Sequence, residues 1–125
     1  MLNKGLRDNE SIRIDNVLKT LRALDFVPEP FSDEQKSDIE NQLKEFGLDI
    51  PTLSDYQDEA LIEILLRNQF DWNQLELFAD FLLDFSKVKN YNFKDKALAI
   101  YQYIQKESKV FSFEINAKIS TLKNQ

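Results

Sequence analysis

The sequence predicts an all-α protein of about six helices, arranged as antiparallel hairpins around a central Phe/Leu-rich helix over residues 71–88. Three observations carry that expectation. Apolar residues recur at helical spacing in one segment after another. Two Gly and three Pro in 125 residues leave few places for the tight turns that an all-β meander needs. The stretch DWNQLELFADFLLDFSKV, residues 71–88, is apolar on nearly every side. At about 100° per residue, Asn73, Glu76, Asp80, Asp84 and Lys87 fall in one narrow stripe. Trp72, Leu75, Leu77, Phe78, Phe81, Leu82, Leu83, Phe85 and Val88 cover the rest of the circumference. A helix of that kind is one that neighbours surround.

Residues 1–10 lack the repeat and read as a flexible tail, which leaves 11–125 as a single helical domain. From Ser11 to Phe26, Ile14, Val17, Leu18, Leu21 and Leu24 mark a first amphipathic helix. Pro28 and Pro30 end it, because proline cannot continue the hydrogen-bond ladder. Ser32 with Gln35 forms a capping-box signature, and Asp33 and Glu34 suit the positive end of the helix dipole. This second helix stops at Gly47, an expected left-handed cap. The following LDIPTL reads as a connector whose Leu48, Ile50 and Leu53 enter the core. Thr52 or Ser54 then caps a third helix to about Arg67, with Tyr56, Ala60, Leu61, Ile64 and Leu65 inward. Asp71 caps the central helix, with Gln74 at the capping-box position. A fifth helix, Phe93 to Glu107, turns Phe93, Ala97, Ile100, Tyr101 and Ile104 inward.

The last segment carries two patterns. Phe111, Phe113, Ile115, Ala117 and Ile119 alternate as in a strand, whereas Phe111, Ile115, Ile119 and Leu122 form a helical stripe with Ser112 as its N-cap. One unpaired strand is not viable, so the expectation is a helix. Tyr56, Asp58, Ala60 and Leu61 recur 37 residues later as Phe93, Asp95, Ala97 and Leu98, which suggests repeated helical hairpins. Ala97 and Tyr101 within DKALAIYQYI stand at the small-x3-aromatic positions of a tetratricopeptide repeat. About fifteen residues resemble the second helix of that repeat, and the resemblance implies hairpin stacking.

Composition narrows the chemistry. The chain has neither His nor Cys, which removes the common zinc sites, thiol nucleophiles and Ser-His triads. No cofactor is expected, and any catalysis would run on carboxylates, Lys, Tyr or a hard metal held by oxygen. Asp80 and Asp84 interrupt the most apolar run, so no membrane span is expected. The N-terminus lacks a signal-peptide pattern, and the absence of Cys fits a cytoplasmic location.

The net charge of −6 is unevenly spread. Residues 32–63 carry two Lys against ten acids, whereas residues 86–125 carry eight Lys against three acids. Acidic middle and basic tail are expected to attract each other within the fold or between chains. Lys87, Lys89, Lys94, Lys96, Lys106 and Lys109 alternate with aromatics, a pattern that single-stranded nucleic acid can exploit. The acidic total and the inward aromatics point instead to a solvated lysine face, with no nucleic-acid partner.

Glu76, Asp80 and Asp84 lie at i, i+4 and i+8 and repel one another, so a compensating charge is expected. The bland reading is a solvated stripe partly paired with lysines of the tail. A second reading joins Glu76 and Asp80 to Asp58, Glu59 and Glu63 as a Mg²⁺ or Mn²⁺ site for phosphoryl hydrolysis. That arrangement resembles the all-α nucleotide pyrophosphatases of the MazG type, whose EExxE and ExxD spacings this chain does not reproduce. The expected function is therefore non-catalytic binding of another protein or a second copy of the chain. Asp55, Asp58 and Glu59 on the acidic face, and Tyr91 and Tyr103 near the last hairpin, are the candidate contacts. A basic partner bound as by an acidic inhibitor or immunity protein is the alternative on that face.

Overall fold

The computed structural model describes residues 2–25, 33–87, 92–110 and 112–124, with side chains left undescribed at 2–8 and 25. Among these residues it is all-α: α1 (Leu2–Asp25), α2 (Asp33–Leu43), α3 (Ile50–Asp55), α4 (Asp58–Arg67), α5 (Trp72–Phe85), α6 (Lys94–Glu107) and α7 (Phe113–Lys123). The expected terminator Pro28–Pro30, the Ser32 cap, Val88, Tyr91 and Phe111 lie outside the described residues.

The apolar repeat marks α1 only from Ser11, but its backbone is helical from Leu2. Ile14, Val17, Leu18 and Leu21 are its buried face. In α2, Asp33 and Glu34 occupy the first turn and Ile39 and Leu43 point inward. A 3₁₀ turn (Lys44–Phe46) follows and ends at Gly47 with φ +76°, the left-handed geometry that glycine tolerates best. The Leu48 amide then donates to the Leu43 carbonyl at 3.0 Å, closing the helix end.

The expected third helix is two helices. Asp49 accepts from the Thr52 amide, and the Thr52 hydroxyl accepts from the Asp49 amide, both at 2.9 Å. That reciprocal cap starts α3 inside the stretch read as a connector, with Pro51 in its first turn. The expected cap at Thr52 or Ser54 is not found: Asp49 is the N-cap of α3, Thr52 is the third residue of that helix, and Gln57 stands at the N-cap position of α4. Tyr56 then turns extended, at φ −71° and ψ 142°, and α4 begins without a side-chain cap. Leu48, Ile50 and Leu53 are buried, as the spacing predicts.

α5 begins at the expected capping box: the Gln74 amide donates to Asp71 at 2.8 Å, and the Asp71 amide donates to the Gln74 side chain at 2.9 Å. Gln74 is also the buried polar residue that ties α5 to α1, donating through Nε2 to Ser11 and to Asp15 at 3.0 Å. At the other end, the Ser86 hydroxyl donates to the Leu82 carbonyl at 2.7 Å and accepts from the Phe93 amide at 2.8 Å. One hydroxyl thereby sets the approach of α6. The last segment is helical, with Ser112 accepting from the Ile115 amide at 3.2 Å.

α5 packs most extensively against α6 and α1; α7 and α4 lie on α6, and α2 lies on α1. The aromatic rings form a continuous chain along α5. Phe46, Phe70 and Phe78 meet edge to face, Phe78 leads to Phe81, and Phe81, Phe85 and Phe93 stack at centroid separations of 5.6 and 5.8 Å. Such pairs contribute about 0.5–1.5 kcal/mol each beyond their buried area. The apolar wrap of α5 is not closed at its first turn, where Trp72 remains 42% exposed.

Candidate functional site

The acidic stripe of α5 does not face open water. Glu76, Asp80 and Asp84 retain only 19%, 17% and 20% of their side-chain surface. Two helices supply the compensating charge. Lys118 of α7 bridges Glu76 at 2.5 Å and Asp80 at 3.1 Å. Arg22 of α1 approaches Asp80 and Asp84, each at 3.6 Å. Tyr101 of α6 donates its hydroxyl to Asp80, and Lys118 sits 5.6 Å from the centroid of the same ring. Lys87 adds a longer contact to Asp84 at 3.6 Å. Asp84 Oδ2 and Arg22 Nε are buried without a hydrogen bond; the approach of an Arg22 terminal nitrogen to Asp84 Oδ2, at 3.6 Å, is too long to be one.

The expectation of pairing with the basic tail therefore holds through Lys118, while the expectation of a solvated stripe gives way to a half-buried ion-pair layer. Sequence reasoning missed Arg22 and Lys118, although a signal existed. Lys118 stands three residues after Ile115 and four before Leu122, within the inward stripe of α7. Arg22 stands four residues after Leu18 on the inward face of α1.

The candidate metal ligands are not drawn together. Asp58 of α4 faces Lys96 of α6 at 3.9 Å, Glu63 pairs with Arg67 at 2.6 Å on its own helix, and Glu59 is exposed. Glu76 and Asp80 are held by Lys118. Among the described residues no group of three or more acidic side chains converges as a metal site would require. Asp55, at the end of α3, is exposed.

Tyr103 has the clearest neighbourhood among the candidate contacts. Half-buried on α6, it packs against Trp72 of α5, with ring centroids 6.0 Å apart. Beside this pair a groove of about 290 Å³ runs from Trp72 and Glu76 to Ile104, Val110 and Ile115. Val110 is 69% exposed, and Phe113, at the start of α7, is 82% exposed. Tyr91 lies outside the described residues.

Two shifted titrations report on the layer. Burial, then the hydrogen bond to Asp80, then the surrounding carboxylates push the Tyr101 phenol far above its ordinary range. For Lys118, burial opposes the charge, but Glu76 and Asp80 outweigh it and the ammonium is held above its usual value. Both groups hold their protons more tightly in the folded chain, so their contribution is fully present below the unfolded-state values. It is lost as the pH rises past them. Stability to urea should stay level with respect to these two groups through neutral pH and fall above about pH 10. Tyrosinate absorbance should show one phenol ionising only together with loss of helical circular dichroism. A full early titration of all four tyrosines without unfolding would contradict the Tyr101 environment.

No known family model, no curated protein and no solved structure matches this chain. Among the described residues no helix is long and apolar enough to cross a membrane.

Proposed function

We propose that this chain is a protein-binding domain without catalytic activity, whose contact face is the groove between the start of α5 and the α6–α7 connection. One observation carries this reading: Trp72, Val110 and Phe113 are exposed at one end of the molecule, beside the groove that Tyr103 flanks. From side-chain sizes, the three expose roughly 300–400 Å² of mainly apolar surface, the scale at which a patch on a monomer is often functional. Aromatic anchors at the centre of a contact face are the usual carriers of binding energy. The ion-pair layer lies alongside and supports the face by fixing α7 against α5 through Lys118 and Glu76.

Trp72 is the only tryptophan in the chain, so its emission reports on the groove directly. A partner seated there should shift that emission to the blue, and a second copy should do so as the protein concentration rises. The double variant Val110→Glu, Phe113→Glu alters exposed positions and should change stability by no more than about 0.5 kcal/mol per site. It should lose the partner that the parent protein retains from native cell extract, and any concentration-dependent shift of Trp72. A partner retained equally by both proteins would remove this face from the proposal.

A further inference from the structure

We infer that a second groove, on the opposite end of the ion-pair layer, is a binding site for a small amphipathic anion of the fatty carboxylate class. It has a volume of about 420 Å³ and lies where the end of α5, the start of α6 and the last turns of α7 meet. That volume falls within the range of small-molecule sites. Leu83, Ala117 and Leu122 give it an apolar surface, Thr121 adds a hydroxyl, and its charged lining is Lys87, Lys94 and Lys118 with one carboxylate, Asp84.

The charge pattern selects the ligand. Within the layer Arg22, Lys87 and Lys118 face Glu76, Asp80 and Asp84, so three cations meet three carboxylates. Lys94 borders the same groove, stands at the first position of α6 and belongs to none of these ion pairs. Its neighbour Asp95 does not line the groove. Among the described residues one cation is therefore left over at the rim of an apolar trough. A cationic ligand would meet three lysines against one carboxylate, Asp84, which Arg22 and Lys87 already face, and a dianion would exceed the one charge left uncompensated among the described residues. A monoanion with an aliphatic tail satisfies both features: its carboxylate takes Lys94, with Lys87 close by, and its tail covers Leu83, Ala117 and Leu122. The positive end of α6 begins at Lys94 and adds to the attraction.

This site is separate from the aromatic groove, so either can fail alone. The test is calorimetric titration of the full chain with decanoate below its micellar concentration, set against decanol and acetate. One decanoate per chain is expected, with decanol at least about tenfold weaker and acetate silent. Lys94→Glu should weaken decanoate at least about tenfold, and Ala117→Phe, which fills the trough from an exposed position, should abolish binding. Lys123→Glu makes the same charge change off the groove and should bind as the parent does. Circular dichroism confirms that each variant is folded. Absence of binding to the parent protein would overturn the inference. So would decanol binding as tightly as decanoate, or uptake of several molecules per chain that none of the variants alters.

Discussion

Replacing Phe78 with alanine should cost about 4 kcal/mol of folding stability, the largest loss expected from any single truncation on α5. Phe78 is fully buried and lies where two arms of the ring chain meet, 6.4 Å from Phe46, 6.1 Å from Phe70 and 5.8 Å from Phe81. Removing it deletes the apolar transfer term and leaves a cavity between elements that also hold the α4–α5 junction. The walls cannot easily collapse: Asn68 pins the end of α4 to the Phe46 carbonyl at 3.1 Å, and Gln74 pins α5 to α1. A typical domain has only about 5–15 kcal/mol in total, so the variant should be marginal at room temperature. Urea unfolding followed by circular dichroism should show a much lower midpoint at an unchanged slope. Phe113→Ala is the matched control, since that ring is largely exposed and its loss should change stability by no more than about 0.5 kcal/mol. A Phe78 variant within 1 kcal/mol of its parent, on the scale of such truncations, would mean that the ring chain does not organise the core.

The helices were legible because their signals are local. Ile14, Val17, Leu18 and Leu21 repeat within one helix, and all are buried. Asp71 with Gln74, Gly47 and Ser112 act within a few residues of themselves, and each caps the helix that the spacing assigns to it. The division of residues 50–67 into α3 and α4 was harder to read. The cap that starts α3 uses Thr52 where the common pattern has Glu or Gln, and no Gly or Pro marks the break at Tyr56. The candidate site was legible only in part. A row of carboxylates at helical spacing announces that charge must be balanced, but not by which residue. Arg22 and Lys118 reach Asp80 across 58 and 38 residues of chain, so the choice among 16 basic residues is made by packing. The exposure of Trp72 was hidden for a related reason. Periodicity places it on the apolar face of α5, but whether a neighbour covers that turn depends on where α7 begins.

Replacing Lys118 with methionine should cost about 2 kcal/mol, although the new side chain is of similar length and suits the apolar neighbours on α7. The loss comes from what stays behind. Glu76 and Asp80 would keep two negative charges one helical turn apart, each about four-fifths buried, with Arg22 at 3.6 Å from Asp80 as the remaining cation. Stripping one partner from a fully buried pair costs about 3–5 kcal/mol. Lys118 retains 32% of its side-chain surface, and solvent screening brings the expectation down to the lower figure. Two further measurements separate this cause from simple loss of packing. Glu76→Gln in the Lys118→Met background removes one of the stranded charges and should restore about half of the loss, so the two substitutions will not be additive. Raising the salt toward about 1 M, which screens partly exposed charges, should narrow the gap between the variant and its parent. A packing defect would be indifferent to both changes. If the second substitution restores nothing and the gap holds at high salt, the layer is a set of surface contacts.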